Sequence, residues 1–166
     1  MIKRKICMLG TFSVGKTSLV SQFVRSIFSD KYHTTVGVKV DKKELSVDGR
    51  DMNMLVWDIQ GEDDLHRLCL NYLRGAAGYL LVADGTRRDT LEAAANINRE
   101  VKDFLGNVPF VVLLNKADLE KAWEIPEETL ASFRDKGWRI LKTSAKTGAG
   151  VEEAFTMLAR DFLAED

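Results

Sequence analysis

The stretch Gly10-Thr11-Phe12-Ser13-Val14-Gly15-Lys16-Thr17 fits GxxxxGK[ST] and falls between a short aliphatic run and a segment of helical periodicity. That is the setting in which this pattern cradles phosphate. The two glycines let the backbone curl, successive N–H groups point into one concavity, and the start of the helix adds positive potential there. Ser13, Val14, Gly15, Lys16, Thr17 and Ser18 are therefore the candidate phosphate-binding residues, with Lys16 bridging the outer phosphates. Thr17 offers a hydroxyl to Mg²⁺, an ion that takes few oxygens from protein and the rest from phosphate and water. Average residue frequencies produce the pattern by accident in roughly 1% or less of chains this long.

Three other polar segments close apolar runs: Trp57-Asp58-Ile59-Gln60-Gly61, Asn115-Lys116-Ala117-Asp118 and Thr143-Ser144-Ala145-Lys146. Strands must present them. Residues 6–9 read as a buried first strand, and 78–84 and 108–115 as near-continuous apolar strands covered on both faces, with 139–143 a shorter one. Residues 38–47 and 52–57 read as an antiparallel pair joined through Asp48-Gly49-Arg50, where Asp-Gly tolerates positive φ. Between the strands, Leu19, Val20, Phe23, Val24 and Ile27 mark one helix face, Leu91, Ala94, Ala95, Val101 and Leu105 a second, and Val151, Ala154, Phe155, Leu158, Ala159 and Phe162 the last. Pro126 suits the start of a further helix. Strands alternating with helices imply an α/β fold with a mainly parallel sheet, and such sheets bind ligands at the carboxyl ends of their strands.

Length and composition bound the alternatives. A chain of 166 residues with 45% hydrophobic and 30% charged residues fits one globular domain over residues 1–166. Lys plus Arg (24) nearly cancels Asp plus Glu (25), so neither a nucleic-acid surface nor a polybasic membrane anchor is expected. No apolar run reaches the roughly 18 residues of a membrane span, and no cysteine stands near the last residue for prenylation. The expectation is a cytoplasmic protein without a direct membrane anchor. Cys7, in an expected strand, and Cys69, in an expected loop, lack metal-ligand spacing and read as reduced thiols.

Taken together, GxxxxGKT, Tyr32-x-x-Thr35-Val36-Gly37, WDxxG, NKAD and TSAK, in this order and spacing, resemble a small GTPase of the Ras superfamily over essentially the whole chain. Trp57 before the aspartate and Tyr72-Leu73-Arg74-Gly75-Ala76 after it look most like the Rab branch. The resemblance implies a P-loop NTPase G domain, with a six-stranded mixed sheet carrying one antiparallel strand and flanked by five helices. It also implies GTP and GDP as ligands, Mg²⁺ as the metal, and a switch that hydrolyses GTP. Asp118 has a direct chemical reason to select guanine, if it faces the base. A carboxylate accepts from N1–H and the 2-amino group, which adenine lacks, and two charge-assisted bonds of about 1.5 to 3 kcal/mol each disfavour ATP by roughly 10² to 10⁴.

By the same resemblance Asn115 braces the loops, Lys116 lies along the base plane, the Ala145 amide within Ser144-Ala145-Lys146 meets the guanine oxygen, and Phe28 stands beside the base. Thr35 reaches Mg²⁺ and the γ-phosphate, Asp58 holds the ion through water, and Gly61 gives its N–H to the γ-phosphate. Hydrolysis then releases the two loops that the γ-phosphate holds. Effectors and regulators are expected at these switch regions, with Val40, Trp57 and Tyr72 as a candidate apolar patch.

Two positions depart from the family. Where a glutamine usually orients the attacking water, this chain has Glu62, which accepts from water but cannot donate to the γ-phosphate; Gln60 is one peptide bond short of that place. Phe12 and Ser13 replace small residues, and a phenyl ring at Phe12 either obstructs an arginine supplied in trans or turns outward onto a switch loop. The expectation is slow hydrolysis, activated by a partner without such an arginine or by homodimerisation across the nucleotide face. The rival expectation is a guanine-nucleotide-bound scaffold without turnover. A P-loop kinase or ATPase conflicts with the NKAD and TSAK loops.

Overall fold

The computed structural model describes residues 2–11, 14–24, 31–35, 38–59 and 67–165, with backbone alone for 24, 31–35 and 67–69. A central strand β1 (Ile2–Gly10) is flanked by β4 (Arg50–Ile59) on one side and β5 (Gly78–Asp84) on the other, both parallel to it. Beyond β5 lie β6 (Phe110–Asn115) and β7 (Ile140–Lys142), also parallel. Beyond β4 lies β3 (Val38–Val47), antiparallel and joined to β4 by a tight turn in which Asp48 (φ 53°) and Gly49 (φ 80°) are both left-handed, as the Asp-Gly pair allows. The six strands and the single antiparallel strand expected from sequence are present. A short edge strand, β2 (Lys31–Thr35), adds a seventh among the described residues by pairing antiparallel with β3, giving the order β2-β3-β4-β1-β5-β6-β7.

Among the described residues five α-helices cover the sheet: α1 (Lys16–Val24), α2 (Arg67–Leu73), α3 (Arg88–Leu105), α4 (Glu127–Asp135) and α5 (Val151–Glu165). Side-chain alternation along β1 divides the core. Ile6 and Met8 join Leu19, Val20, Phe155, Leu158 and Phe162 under α1 and α5, while Cys7 and Leu9 join Leu91, Ala94, Val101 and Leu130 under α3 and α4. All seven residues of β5 are buried, which explains its unbroken apolar sequence. Phe23 of α1 stacks on Phe155 of α5 with ring centroids 3.6 Å apart, fixing the helix that begins at the phosphate loop. Cys69 lies in α2 and not in the loop that its sequence context suggests; a helix of seven residues is too short to leave a clear periodic signature. Cys7 is fully buried, and burial pushes its thiol up to about 12. Among the described residues no helix is long and apolar enough to cross a membrane.

The register sets the site. Met8 pairs with both Asp58 and Leu80, and Asp84 pairs with Asn115. Parallel pairing therefore brings the ends of β1, β4, β5 and β6 to one edge of the sheet.

Candidate functional site

At that edge the chain leaves β1 at Gly10 and enters α1 at Lys16. Gly15 has φ 99°, and the side-chain amide of Asn115 occupies the space a Cβ would need there. Asn115 is nearly fully buried. Its Nδ2 donates to the Val14 carbonyl at 2.9 Å, and its Oδ1 accepts from the Thr143 hydroxyl and the Ala145 N–H, both at 3.3 Å. One amide thus joins the phosphate loop to the last of the candidate loops. Lys16 is 94% buried, with Nζ 3.5 Å from the Gly10 carbonyl, so its ammonium is directed back over the loop.

Thr17 and Asp58 form the second feature. The Thr17 hydroxyl donates to Asp58 Oδ2 at 2.5 Å, and Asp58 is completely buried with Oδ1 unbonded. A buried carboxylate oxygen without a partner is costly unless something cationic or donating meets it. One hydroxyl plus one carboxylate is also the sparse oxygen set that suits Mg²⁺, and no cluster of three or more His, Cys, Asp or Glu competes for a metal among the described residues. The residues present fit the ion. They would hold it at the start of α1, where it would neutralise phosphate charge.

The loop after β6 turns through Lys116, whose φ of 68° is unusual for a residue with a Cβ. Asp118 is exposed; its Oδ1 accepts from the Ser144 hydroxyl at 2.7 Å, and that hydroxyl accepts from the Thr147 N–H at 3.1 Å. The Ala117 N–H donates to the Thr143 carbonyl at 2.9 Å, and Gln22 of α1 donates to the Ala145 carbonyl at 2.8 Å. These bonds enclose a hollow of about 300 Å³ lined by Gly15, Ser18, Asn115, Lys116, Asp118, Ala145 and Lys146. A second hollow of about 270 Å³ shares Ser18 and Ala145 with it and extends to Thr17, Ser21 and Gln22. The phosphate loop and the two distal loops therefore face a common space.

A residue outside the motifs also belongs here. Asp84, the last residue of β5, is fully buried; its Oδ2 accepts from Lys116 Nζ at 2.8 Å and Arg87 Nε at 3.1 Å, and its Oδ1 from the N–H and hydroxyl of Thr86. Desolvation alone would raise its pKa, but the bonds from Lys116, Thr86 and Arg87 outweigh that and hold the carboxyl below the ordinary range. The available signal was a fourth polar strand end, Asp84-Gly85-Thr86.

Ser13, Phe28, Gln60, Gly61 and Glu62, together with Phe12, lie outside the described residues, and of Thr35 only the backbone, pairing with Val38 at the end of β2, is described. In the candidate patch Val40 pairs with Trp57 across β3 and β4, and the Trp57 and Tyr72 rings lie 6.3 Å apart. Val40 is only 5% exposed, so the half-buried aromatic rings provide what surface the three residues offer.

Residues 5–164 match the family model described as the Ras family. The chain belongs to the Ras family. It is similar to the Ras-related protein Rab-13 of Canis lupus familiaris, with 33% identity over 161 residues, 96% of this chain and 79% of that protein. It is 32% identical to Rab-13 of Bos taurus over the same length. This Ras-family protein is thus a Rab-like small GTPase, of a class that binds GTP, GDP and Mg²⁺, hydrolyses GTP, and meets effectors and regulators.

Proposed function

We propose that residues 1–166 form one cytoplasmic G domain that binds GTP or GDP with Mg²⁺ and switches its surface loops through slow hydrolysis. The observation that supports this most directly is the Asn115 amide, which couples the loop of Gly15 and Lys16 to the loop of Ala145. A ligand with phosphates at one end and a hydrogen-bonding base at the other fits that arrangement. Ser13 to Ser18 would meet the phosphates, with Lys16 on the β- and γ-groups. Asp118 would accept from the guanine edge, the Ala145 N–H would meet its oxygen, Lys116 and Phe28 would flank the ring, and Lys146 and Ser144 would support the loop. Thr17, Asp58 and, in the triphosphate state, Thr35 would hold the ion. Denaturing the purified protein and identifying the released nucleotide by chromatography, with GTP and ATP in competition for the stripped site, tests the reading; a preference for ATP overturns it.

Chelating Mg²⁺ should speed release of a fluorescent GDP by at least about tenfold, the effect of 1.4 kcal/mol. Unchanged release would remove Thr17 and Asp58 from an ion site.

Turnover is proposed to be slow because Glu62 stands where the water-orienting glutamine is expected, with Gln60 one residue short of that place, and a phenyl ring at Phe12, if turned inward, would narrow the approach to the γ-phosphate. Gly61 would still donate to that phosphate. In single-turnover assays, Phe12→Gly combined with Glu62→Gln should hydrolyse GTP about tenfold faster than the parent; a double variant no faster than the parent would end the blocked-site explanation. The same two departures favour a second reading, a nucleotide-bound scaffold, which predicts no phosphate release from the parent over hours. Partners are proposed to dock beside Trp57 and Tyr72, where Lys5 Nζ lies 3.7 Å over the indole, with homodimerisation across the nucleotide face as one route to activation.

A further inference from the structure

We infer that Asp84 is a positioning residue that fixes Lys116 along the floor of the base pocket, an inference that rests on the guanine-binding reading above. Asp84 is held independently of Lys116. Its N–H donates to the Thr90 hydroxyl at 2.8 Å, the next residue, Gly85, donates to the Asn115 carbonyl at 3.0 Å, and the Gly85 carbonyl accepts from the Glu124 N–H at 2.8 Å. The indole of Trp123 fills the space beside Gly85 that any side chain would need. The carboxylate is therefore a fixed point at the end of β5.

Lys116 is the part that must be fixed. Its backbone turns in the left-handed region, its side chain is 35% exposed, and it lines the same hollow as Asp118 and Ala145. A lysine so placed has many rotamers available, and binding a flat base against its methylene stem would ordinarily require ordering them. The 2.8 Å ion pair with Asp84 orders the stem before any base arrives. Both oxygens of Asp84 already accept two bonds each from Lys116, Arg87 and Thr86. An amide at this position would have to turn a donor toward either Lys116 or Thr86.

The test is the dissociation rate of a ribose-labelled fluorescent GDP from the full chain. Asp84→Asn should release it about tenfold faster, corresponding to 1.4 kcal/mol of lost pre-ordering, with Lys116→Met showing a similar acceleration. Because Asp84 acts through Lys116, the double variant should release GDP no more than about twofold faster than Lys116→Met alone. Arg87→Gln removes the other cation from the same carboxylate and should stay within about twofold of the parent. An Asp84→Asn rate within twofold of the parent overturns the inference. So does an additive double variant, or an Arg87→Gln effect as large as that of Asp84→Asn, since either makes Asp84 a general support of the loop. If Asp84→Asn does not fold, Asp84→Glu keeps the charge but displaces it by one methylene, and the same acceleration and the same dependence on Lys116 are expected. A parent that binds no labelled GDP defeats the guanine reading itself, an outcome distinct from a parent that binds and is insensitive to Asp84.

Discussion

Asp118→Ala is expected to lower GDP affinity by about 10² to 10⁴, while leaving the fold intact. The size follows from two charge-assisted hydrogen bonds to the base, at about 1.5 to 3 kcal/mol each, lost together and partly coupled. The intact fold follows from exposure: Asp118 is exposed, and the substitution removes a single partly buried bond, the one it accepts from Ser144 beside the hollow. A carboxylate has lone pairs enough to accept from Ser144 and from both guanine donors at once. Alanine therefore removes recognition at the added cost of one donor, the buried Ser144 hydroxyl, left without its acceptor. The effect should also be selective. ATP lacks the paired donors, so its weak binding should change little, and the preference for GTP over ATP should collapse. Calorimetry on nucleotide-stripped protein with both nucleotides reads this directly; a GDP affinity within threefold of the parent would mean that Asp118 does not face the base.

How much of this was legible in the sequence differs from element to element, for physical reasons. Strands β5 and β6 are covered on both faces, so their apolar runs could be read without ambiguity, and the motifs at their ends fell into place with them. The β3–β4 hairpin was legible because Asp48 and Gly49 adopt the positive φ that their types permit. Edge strand β2 was not, since Lys31–Thr35 has little apolar pattern and owes its extended form to pairing with β3. The motif identified Asn115 and Lys116 but not their geometry. That Asn115 stands against Gly15, and that Lys116 ends on Asp84, depends on the register of β5 with β6 and on the path of the loop after Gly10. Asp84 carries no motif, and only the fold reveals that its buried carboxylate has two cations beside it.

Gly15→Ala should weaken GDP binding by at least about 10² and lower the melting temperature as well, for two separable reasons. The first is backbone strain: at φ 99° an alanine costs about 1 to 2 kcal/mol. The second is specific to this site. The added methyl would overlap the Asn115 amide, which must then abandon its bond to the Val14 carbonyl and its acceptance from Thr143 and Ala145. Each such buried bond is worth about 1 kcal/mol, and an orphaned partner adds more. Gly75→Ala separates the two contributions. Gly75 has φ 78°, and among the described residues no atom beyond its chain neighbours lies within 4 Å of the place a methyl would take there, so it should show the strain alone, about 2 to 4 °C per kcal/mol in a chain of this length, with GDP affinity unchanged. If Gly15→Ala lowers the melting temperature no more than Gly75→Ala and binds GDP like the parent, Asn115 is not the tie between the two ends of the pocket. A large loss of affinity confined to Gly15→Ala would assign the effect to the phosphate loop and the Asn115 amide that braces it, because both substitutions impose the same kind of backbone strain and only one acts at the pocket.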